Sequence, residues 1–257
     1  MYDSNITRIL ADLTTADTVL DIGGWARPFN RANFVIDAEP YETRGFYGES
    51  LPAQGGPTEH FSKTTWIQRD ICDRTPFPFA DKSIDFVTCS HVLEDIRDPL
   101  WVCSEMTRIA KRGYIEVPSR LAESSRGTEP GQVGWSHHRW LIDISDDHVG
   151  FLMKYHKIHS HWSLSLPARY MRSLPERAKV QWLFWDGDFS HSERTIHGVD
   201  NIASELQRFV NDVRPYSAWL LSADRITRGA LRNATRVIRK VERTLRSLAS
   251  NGSTTSG

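Results

Sequence analysis

The sequence has little cysteine: Cys72, Cys89 and Cys103 are the three in 257 residues. An odd number of cysteines without CxxC spacing argues against a disulfide framework and against a structural zinc site, and suits a reducing compartment. No HExxH pair or Cys/His set appears, and the histidines between His137 and His161 follow no established metal-ligand spacing. We therefore expect a cytoplasmic protein and predict no metal site.

The sequence also lacks an excess of charge and a long hydrophobic run. Its 32 basic and 32 acidic residues balance to a formal net charge of zero, so attraction of the whole molecule to nucleic acid is not implied. No stretch reaches the roughly 18 apolar residues that would span a membrane, and the start, MYDSNITRILADL, does not resemble a signal peptide. With 39% hydrophobic and 25% charged residues, the composition is that of an ordinary globular protein.

The first 118 residues contain short apolar runs that end in glycine, aspartate or proline. They predict strands within residues 18–22, 33–37, 66–70, 83–90 and 113–118. Amphipathic patterns predict helices over residues 3–13 and 98–110, the second with Asp98 as its N-cap. Alternation of strands with connecting segments is typical of a parallel α/β sheet, in which ligands bind beyond the carboxyl ends of the strands.

Five sequence pieces, in order, carry a resemblance to a known family: VLDIGG (residues 19–24), VID (35–37), RDI (69–71), PFPFADKSIDFV (76–87) and SHVLED (90–95). Residues 15–118 resemble class I S-adenosylmethionine-dependent methyltransferases, with a domain like methyltransferase type 11. The resemblance implies a Rossmann-like, mostly parallel α/β sheet. The residues after 118 add the expectation of a C-terminal elaboration and a basic terminal helix. It also implies S-adenosyl-L-methionine as cofactor.

The resemblance assigns roles at the ends of the first two strands. Gly23 and Gly24 would lie against the methionine and ribose parts of the cofactor, because a glycine turn lets the backbone approach a ligand closely. Asp37 would accept hydrogen bonds from the ribose hydroxyls. Asp21 would organise the turn and reach the cofactor's ammonium group through water.

Further roles follow at the next two strand ends. Asp70 and Ile71 match the position that contacts adenine, with a carboxylate for the exocyclic amine and an apolar face for the ring. Ser90 and His91 lie where the family lines the pocket below the sulfonium, and His91 is one of three candidate catalytic residues.

The glycine turn departs from the family pattern D-x-G-x-G-x-G, since DIGGWARP lacks the later glycines. Only ten residues separate Ile22 from Asn33, whereas a parallel crossover normally needs about a dozen or more. We therefore expect the first helix of the fold to be a single turn or a loop. Arg27 would then replace the helix dipole as the charge partner of the cofactor carboxylate.

The segment GWSHHRW (residues 134–140) follows the fifth strand, where the family commonly places elements that bind the acceptor. His137 and His138 are the other two candidate catalytic residues, since histidine titrates near neutral pH. Trp135 and Trp140 would stack on a sugar or aromatic acceptor, and Arg139 would hold a phosphate or carboxylate. The alternative is that this segment is a packed hinge.

The predicted organisation is a cofactor-binding core (1–118), an acceptor-side elaboration of the same domain (119–214), a basic amphipathic helix (215–249) and a disordered tail (250–257). Residues 145–156 are predicted to be helical. Residues 217–249 contain eight basic and two acidic residues, a net charge of +6. This segment would cover the body, rest on an anionic membrane surface, or contact a partner helix or, less readily, nucleic acid.

The expected function is methyl transfer from S-adenosylmethionine to a small-molecule or glycan-like acceptor, with oxygen favoured by the histidine pair and the tryptophans. Two alternatives stay open. The degenerate glycine turn is compatible with a non-catalytic scaffold of methyltransferase fold, and the basic segment with a membrane-peripheral adaptor. The sequence names neither the acceptor nor the oligomeric state, because a fold does not specify a substrate.

Overall fold

The computed structural model describes residues 1–48, 51 and 53–213. Its strands are β1 (Val19–Ile22), β2 (Phe34–Asp37), β3 (Trp66–Gln68), β4 (Phe86–Ser90), β5 (Arg112–Pro118), β6 (Trp140–Ser145), β7 (His148–Met153), β8 (Val180–Asp186) and β9 (Ser190–Glu193). The central sheet has the order β3-β2-β1-β4-β5-β8. All its neighbouring strands are parallel except β8, which runs antiparallel to β5. The predicted mostly parallel α/β sheet is confirmed.

The helices are α1 (Asp3–Asp12), α2 (Pro99–Ile109), α3 (Arg120–Glu123), α4 (Ala168–Ser173), α5 (Glu176–Lys179) and α6 (Val199–Val213). Helix α2 begins as predicted, since the Asp98 side chain accepts a hydrogen bond from the Trp101 N–H and Pro99 occupies the first turn. A proline there leaves no helical hydrogen bond unmade. Every residue of β1 is buried, as expected for a central strand covered on both faces.

The connection between β1 and β2 is a loop over residues 23–33, as its short length predicted. The N–H of Gly23 donates to the Ile36 carbonyl at 2.8 Å, which ties the start of the loop to β2. The Phe29 N–H donates to the Asp21 carboxylate at 2.8 Å, which ties the end of the loop to β1. Hydrogen bonds therefore hold this loop against the sheet, whereas a connecting helix would be held by side-chain packing.

A second sheet has the order β6-β7-β9, and it corrects the helix predicted over residues 145–156. Strands β6 and β7 form a hairpin whose turn places Asp146 in the left-handed region at φ 48°. The apolar residues Val149, Phe151 and Leu152 fit a helical and a strand spacing equally over so short a run. Pairing with β6 and β9 makes this segment a strand.

One hydrophobic cluster continues across both sheets, from Leu20 and Ile115 in the central sheet to Ile142 and Phe151 in the second. The three cysteines are buried and free. Within the described part of the chain, no helix combines the length and the apolar character needed to cross a membrane. The basic segment 215–249 and the tail 250–257 lie outside the described residues, so their predictions stay predictions.

Candidate functional site

A cavity of about 460 Å³ opens where β1 and β4 end. It is lined by seven of the residues singled out from the sequence: Gly23, Arg27, Ser90, His91, Trp135, His137 and His138. The first four follow the ends of β1 and β4, and the last three belong to the loop before β6. The fold thus brings the glycine turn and the histidine pair, more than 100 residues apart in the sequence, to one cavity.

The glycine turn is closely packed. Gly23 has φ +73°, and a Cβ atom there would lie 2.2 Å from Val92 Cγ2. A Cβ atom on Gly24 would lie 2.4 Å from Asp21 Oδ2. Neither position tolerates a side chain, because real Cβ contacts do not become so short and an L-residue is strained at that φ of Gly23. Gly23 presents its backbone to the cavity.

Asp21 lies beneath the turn, where it is buried and does not line the cavity. Its Oδ1 accepts a hydrogen bond from the Thr88 hydroxyl at 2.7 Å, while Oδ2 holds the Phe29 N–H. Burial raises the pKa of Asp21 to about 6 although these hydrogen bonds oppose the shift. Asp21 therefore organises the turn, and its predicted contact with the cofactor stays a prediction.

Asp37 ends β2 and is partly buried, and it is not among the residues that line the cavity. Its Oδ2 accepts the Trp25 N–H and its Oδ1 the Glu39 N–H, both at 2.9 Å. Burial raises the pKa of Asp37. Each carboxylate oxygen has a second lone pair, so both remain able to accept a further hydrogen bond.

Asp70 and Ile71 follow β3, outside the cavity lining. Asp70 accepts the Cys72 N–H at 2.8 Å and pairs with Arg97 at 2.6 Å. These contacts, the hydrogen bond from Cys72 first, lower its pKa. Ile71 is buried in the central core with Val92. The predicted contact of Asp70 and Ile71 with the adenine stays a prediction.

Arg27 and Ser90 both line the cavity. The Arg27 carbonyl accepts a hydrogen bond from the Gln54 side-chain amide, which fixes the loop. The Ser90 hydroxyl is buried and has no hydrogen-bond partner within residues 1–48, 51 and 53–213. A buried hydroxyl without a partner is costly, so Ser90 is a polar group available to a ligand.

His91 stands between two buried carboxylates. Its Nε2 lies 3.2 Å from Glu116 Oε1 and its Nδ1 lies 3.3 Å from Glu94 Oε1. Burial acts to lower the pKa of His91, but the two carboxylates outweigh it and raise the pKa to about 9. An imidazole with that pKa is protonated at neutral pH and cannot take up another proton. This state argues against the role of His91 as a base.

His138 is held on one nitrogen. Its Nδ1 lies 2.6 Å from Glu123 Oε1, and the other oxygen of Glu123 lies 2.7 Å from the Lys154 Nζ. Lys154 is buried, with 3% of its side chain exposed, and it also donates to the Trp135 carbonyl. The Trp135 ring stacks on the His138 ring with 5.0 Å between centroids. These contacts fix the ring and leave Nε2, 3.6 Å from Asp95 Oδ1, for the cavity.

Three further predicted site residues of the segment 134–140 lie in three different environments. His137 lines the cavity, with its Nε2 3.9 Å from Asp95 Oδ1. Arg139 is exposed outside the cavity lining. Trp140 is buried, packs edge-on against Phe151 and donates from Nε1 to the Ile96 carbonyl. Trp140 is therefore a core residue, which corrects its predicted role in stacking on an acceptor.

The structure places four acids and one base around the two histidines: Glu94, Asp95, Glu116, Glu123 and Lys154. The sequence marked Glu116 as a functional candidate at a strand end without giving it a role, and it assigned no site role to the other four. Glu116 lies two residues before the end of β5, and the pair Glu94-Asp95 follows β4, so their positions near strand ends were a usable signal. Glu123 and Lys154 are 31 residues apart, and no sequence pattern connects them.

Comparison with known families finds one match, to a part of this chain. Residues 51–115, about a quarter of the sequence, match the family model described as "Methyltransferase domain". This match confirms the predicted resemblance over β3, β4, α2 and part of β5. No curated protein matches the chain.

Solved structures cover about half of the chain. A complex between the Haloferax volcanii Trm112 methyltransferase activator and a candidate methyltransferase is 23% identical, with a TM-score of 0.32, over 44% of this chain and 50% of that one. The YcgJ protein of Bacillus subtilis is 18% identical, with a TM-score of 0.34, over 49% and 53%. A Haemonchus contortus phosphoethanolamine N-methyltransferase 2 bound to S-adenosylhomocysteine is 15% identical, with a TM-score of 0.33, over 50% and 30%. This chain thus matches about half of the length of the first two and less of the third, too little to carry over an activity.

Proposed function

We propose that the protein transfers a methyl group from S-adenosylmethionine to a small-molecule or glycan-like acceptor, at an oxygen atom. The observation that carries the proposal is the shared cavity. Gly23 and Ser90 line it together with His138, whose Nε2 lies 3.6 Å from Asp95 Oδ1. A methyltransferase must hold donor and acceptor in line, and one cavity lined by both groups of residues offers a place for both molecules.

The donor side would be the strand ends. Gly23 gives the cofactor close access to the backbone, and Asp37 would accept hydrogen bonds from the ribose hydroxyls on its free lone pairs. Arg27 lines the cavity near the turn and would attract the cofactor carboxylate. Asp70 and Ile71 would lie beyond Asp37, toward the adenine.

The acceptor side would be the wall formed by Trp135, His137 and His138. An oxygen acceptor must lose a proton during methyl transfer. Glu123 is placed to accept a hydrogen bond from Nδ1 of His138, and a neutral ring in that arrangement would carry its lone pair on Nε2. Trp135 offers an aromatic face beside it, which suits a sugar ring or a planar acceptor.

Titration calorimetry with S-adenosylhomocysteine tests the proposal. We expect micromolar binding by the full chain and a loss of about 1 kcal/mol or more, roughly five- to tenfold, in Asp37→Ala. Asp200→Asn, an exposed aspartate at the start of α6, is the charge-matched control and should bind normally. Absence of binding at millimolar ligand would leave the non-catalytic scaffold as the better interpretation.

A further inference from the structure

Three potential ligand atoms converge on the acceptor wall of the cavity. They belong to Asp95, His137 and His138 and all lie within 4.8 Å of one another. Asp95 Oδ1 is 3.6 Å from His138 Nε2 and 3.9 Å from His137 Nε2. Donor atoms around one ion are about 3 to 3.5 Å apart, given metal-ligand bonds of 2.0–2.2 Å. Small rotations of these side chains would therefore close the set around one ion.

The surroundings of the histidines match those of metal ligands. A ligating histidine almost always gives its second ring nitrogen to a carboxylate or carbonyl, which fixes the ring and its tautomer. His138 does so with Glu123 at 2.6 Å. His137 Nδ1 lies 3.9 Å from Glu129 Oε1, within reach of the same arrangement.

Two carboxylates at this wall have buried oxygen atoms that receive no hydrogen bond from the described residues. Glu94 is 1% exposed and lines the cavity, yet neither of its carboxylate oxygens has a hydrogen-bond partner among the described residues. Asp95 Oδ1 is likewise buried without one in that part of the chain. His91 Nδ1 lies 3.3 Å from Glu94 but without hydrogen-bond geometry. Glu94 thus has the charged His91 ring beside it but no hydrogen bond. Buried carboxylate oxygens without hydrogen bonds are costly, and a bound cation would offset part of that cost.

We propose that Asp95, His137 and His138 form a binding site for one divalent transition-metal ion. Two imidazoles and one carboxylate suit zinc, iron or manganese, whereas magnesium prefers oxygen ligands throughout. Three protein ligands leave coordination positions open to water or to an oxygen of the cavity's ligand. This set differs from the histidines weighed from the sequence, since Asp95 lies 42 residues before His137.

The site has a consequence for the reaction, which rests on the proposed function. A divalent ion lowers the pKa of an oxygen bound to it. An acceptor hydroxyl held by the ion would then lose its proton to solvent without an imidazole base. A nitrogen that binds the ion cannot take up a proton, so His138 would serve as a ligand.

Zinc binding to the full chain tests the site. Protein stripped with a chelator would be titrated with ZnCl₂ by calorimetry. We expect one ion per chain and at least tenfold weaker binding in each of Asp95→Asn, His137→Gln and His138→Gln. The control His156→Gln removes an exposed histidine outside the cavity lining and should bind as the wild type does. Cobalt(II) would report the same site through visible absorption bands that the three variants lose.

Three outcomes would overturn the site: no zinc binding by folded wild-type protein, binding that all three substitutions leave intact, or tighter binding of magnesium than of zinc. S-adenosylhomocysteine binding by the same samples separates the two proposals. Zinc binding without S-adenosylhomocysteine binding supports the metal site and removes the methyltransferase proposal. The reverse removes the metal site alone.

Discussion

His91 and His138 face the same cavity and are both held by buried carboxylates, but the two sites differ in what they leave free. His91 has a carboxylate at each nitrogen, Glu116 at 3.2 Å and Glu94 at 3.3 Å. His138 has Glu123 at one nitrogen and an open Nε2 at the other. The first arrangement fixes a charge, and the second prepares a nitrogen for a ligand, a metal ion or a proton.

The two sites also differ in the groups that stabilise the negative charge of their carboxylates, Glu116 and Glu123. Glu116 is satisfied by His91, by the Tyr114 hydroxyl and by the Tyr2 N–H. Burial acts to raise the pKa of Glu116, but His91 first, then the Met1 ammonium 3.6 Å away and the Tyr114 hydroxyl, lower it to about 2. Glu123 is balanced from the opposite side, by the buried ammonium of Lys154. A histidine in a cavity is therefore interpretable only with every group that faces its two nitrogens.

The largest expected effect comes from removing the cation behind His138. Lys154→Met should destabilise the protein by about 3 to 5 kcal/mol, because it leaves Glu123 buried without its ammonium partner. Urea denaturation at pH 7 measures the change. The double variant Glu123→Gln/Lys154→Met should recover part of the loss, since it removes both charges. A loss below about 1 kcal/mol in the single variant would mean that Glu123 does not need Lys154.

Glu116→Gln should cost about 2 to 3 kcal/mol, since Glu116 accepts three hydrogen bonds, one of them from a charged group. It should also lower the pKa of His91 below 9, because one of the two carboxylates that hold the proton is gone. Denaturation and NMR titration of the His91 ring measure the two effects. Glu193→Gln, at an exposed residue of β9, is the control and should change stability by less than about 0.5 kcal/mol. An unchanged His91 pKa would contradict the charge-fixing role of Glu116.

The pH dependence of stability should show the fixed charge of His91 directly. Its folded pKa of about 9 lies above the ordinary 6.5, so its contribution is complete below pH 6.5 and is lost as pH rises through 9. The ring is 43% exposed to the cavity, so water screens the pair, and we expect a decline of about 1 to 2 kcal/mol. Asp21, with its raised pKa of about 6, changes its charge at lower pH, so it contributes little to the change in stability between pH 6.5 and 9.

His91→Asn is the matched variant for this window, because asparagine tolerates the left-handed backbone of residue 91, which has φ 55°. Between pH 6.5 and 9 it should lack the decline that His91 causes, so its stability should fall by less than that of the wild type. An equal decline in wild type and variant would assign the titration to another group.

Much of the fold could be predicted because strong local patterns agree with the tertiary structure. The apolar runs at Val19–Ile22 and Phe86–Ser90 are buried central strands in the structure. The loop between β1 and β2 followed from length alone. The hairpin of β6 and β7 could not be predicted, because its apolar spacing fits two periods and only the neighbouring strands select one.

The site could be predicted where it lies at strand ends and not where it depends on packing. Gly23, Ser90 and the histidine pair, all singled out from the sequence, line the cavity, and their roles stay predictions. Trp140 looked equivalent to Trp135 in the sequence, yet it points into the core because it begins β6. Lys154 appeared as one basic residue among many, and only the fold shows that it is buried against Glu123.

The smallest expected effect is that of His138→Gln on stability. Without added metal, we expect a change below about 1 kcal/mol, because the glutamine amide can donate to Glu123 as Nδ1 does, and Nε2 lies 3.6 Å from Asp95 Oδ1, beyond hydrogen-bond distance. His91→Asn, measured at pH 6, should lose more, since it removes a charge between two carboxylates. Chemical denaturation in the presence of a chelator compares the two. An equal or larger loss in His138→Gln would show that His138 contributes as much to stability as His91 does. The interpretation of Nε2 as a nitrogen kept for a ligand, a metal ion or a proton would then fail.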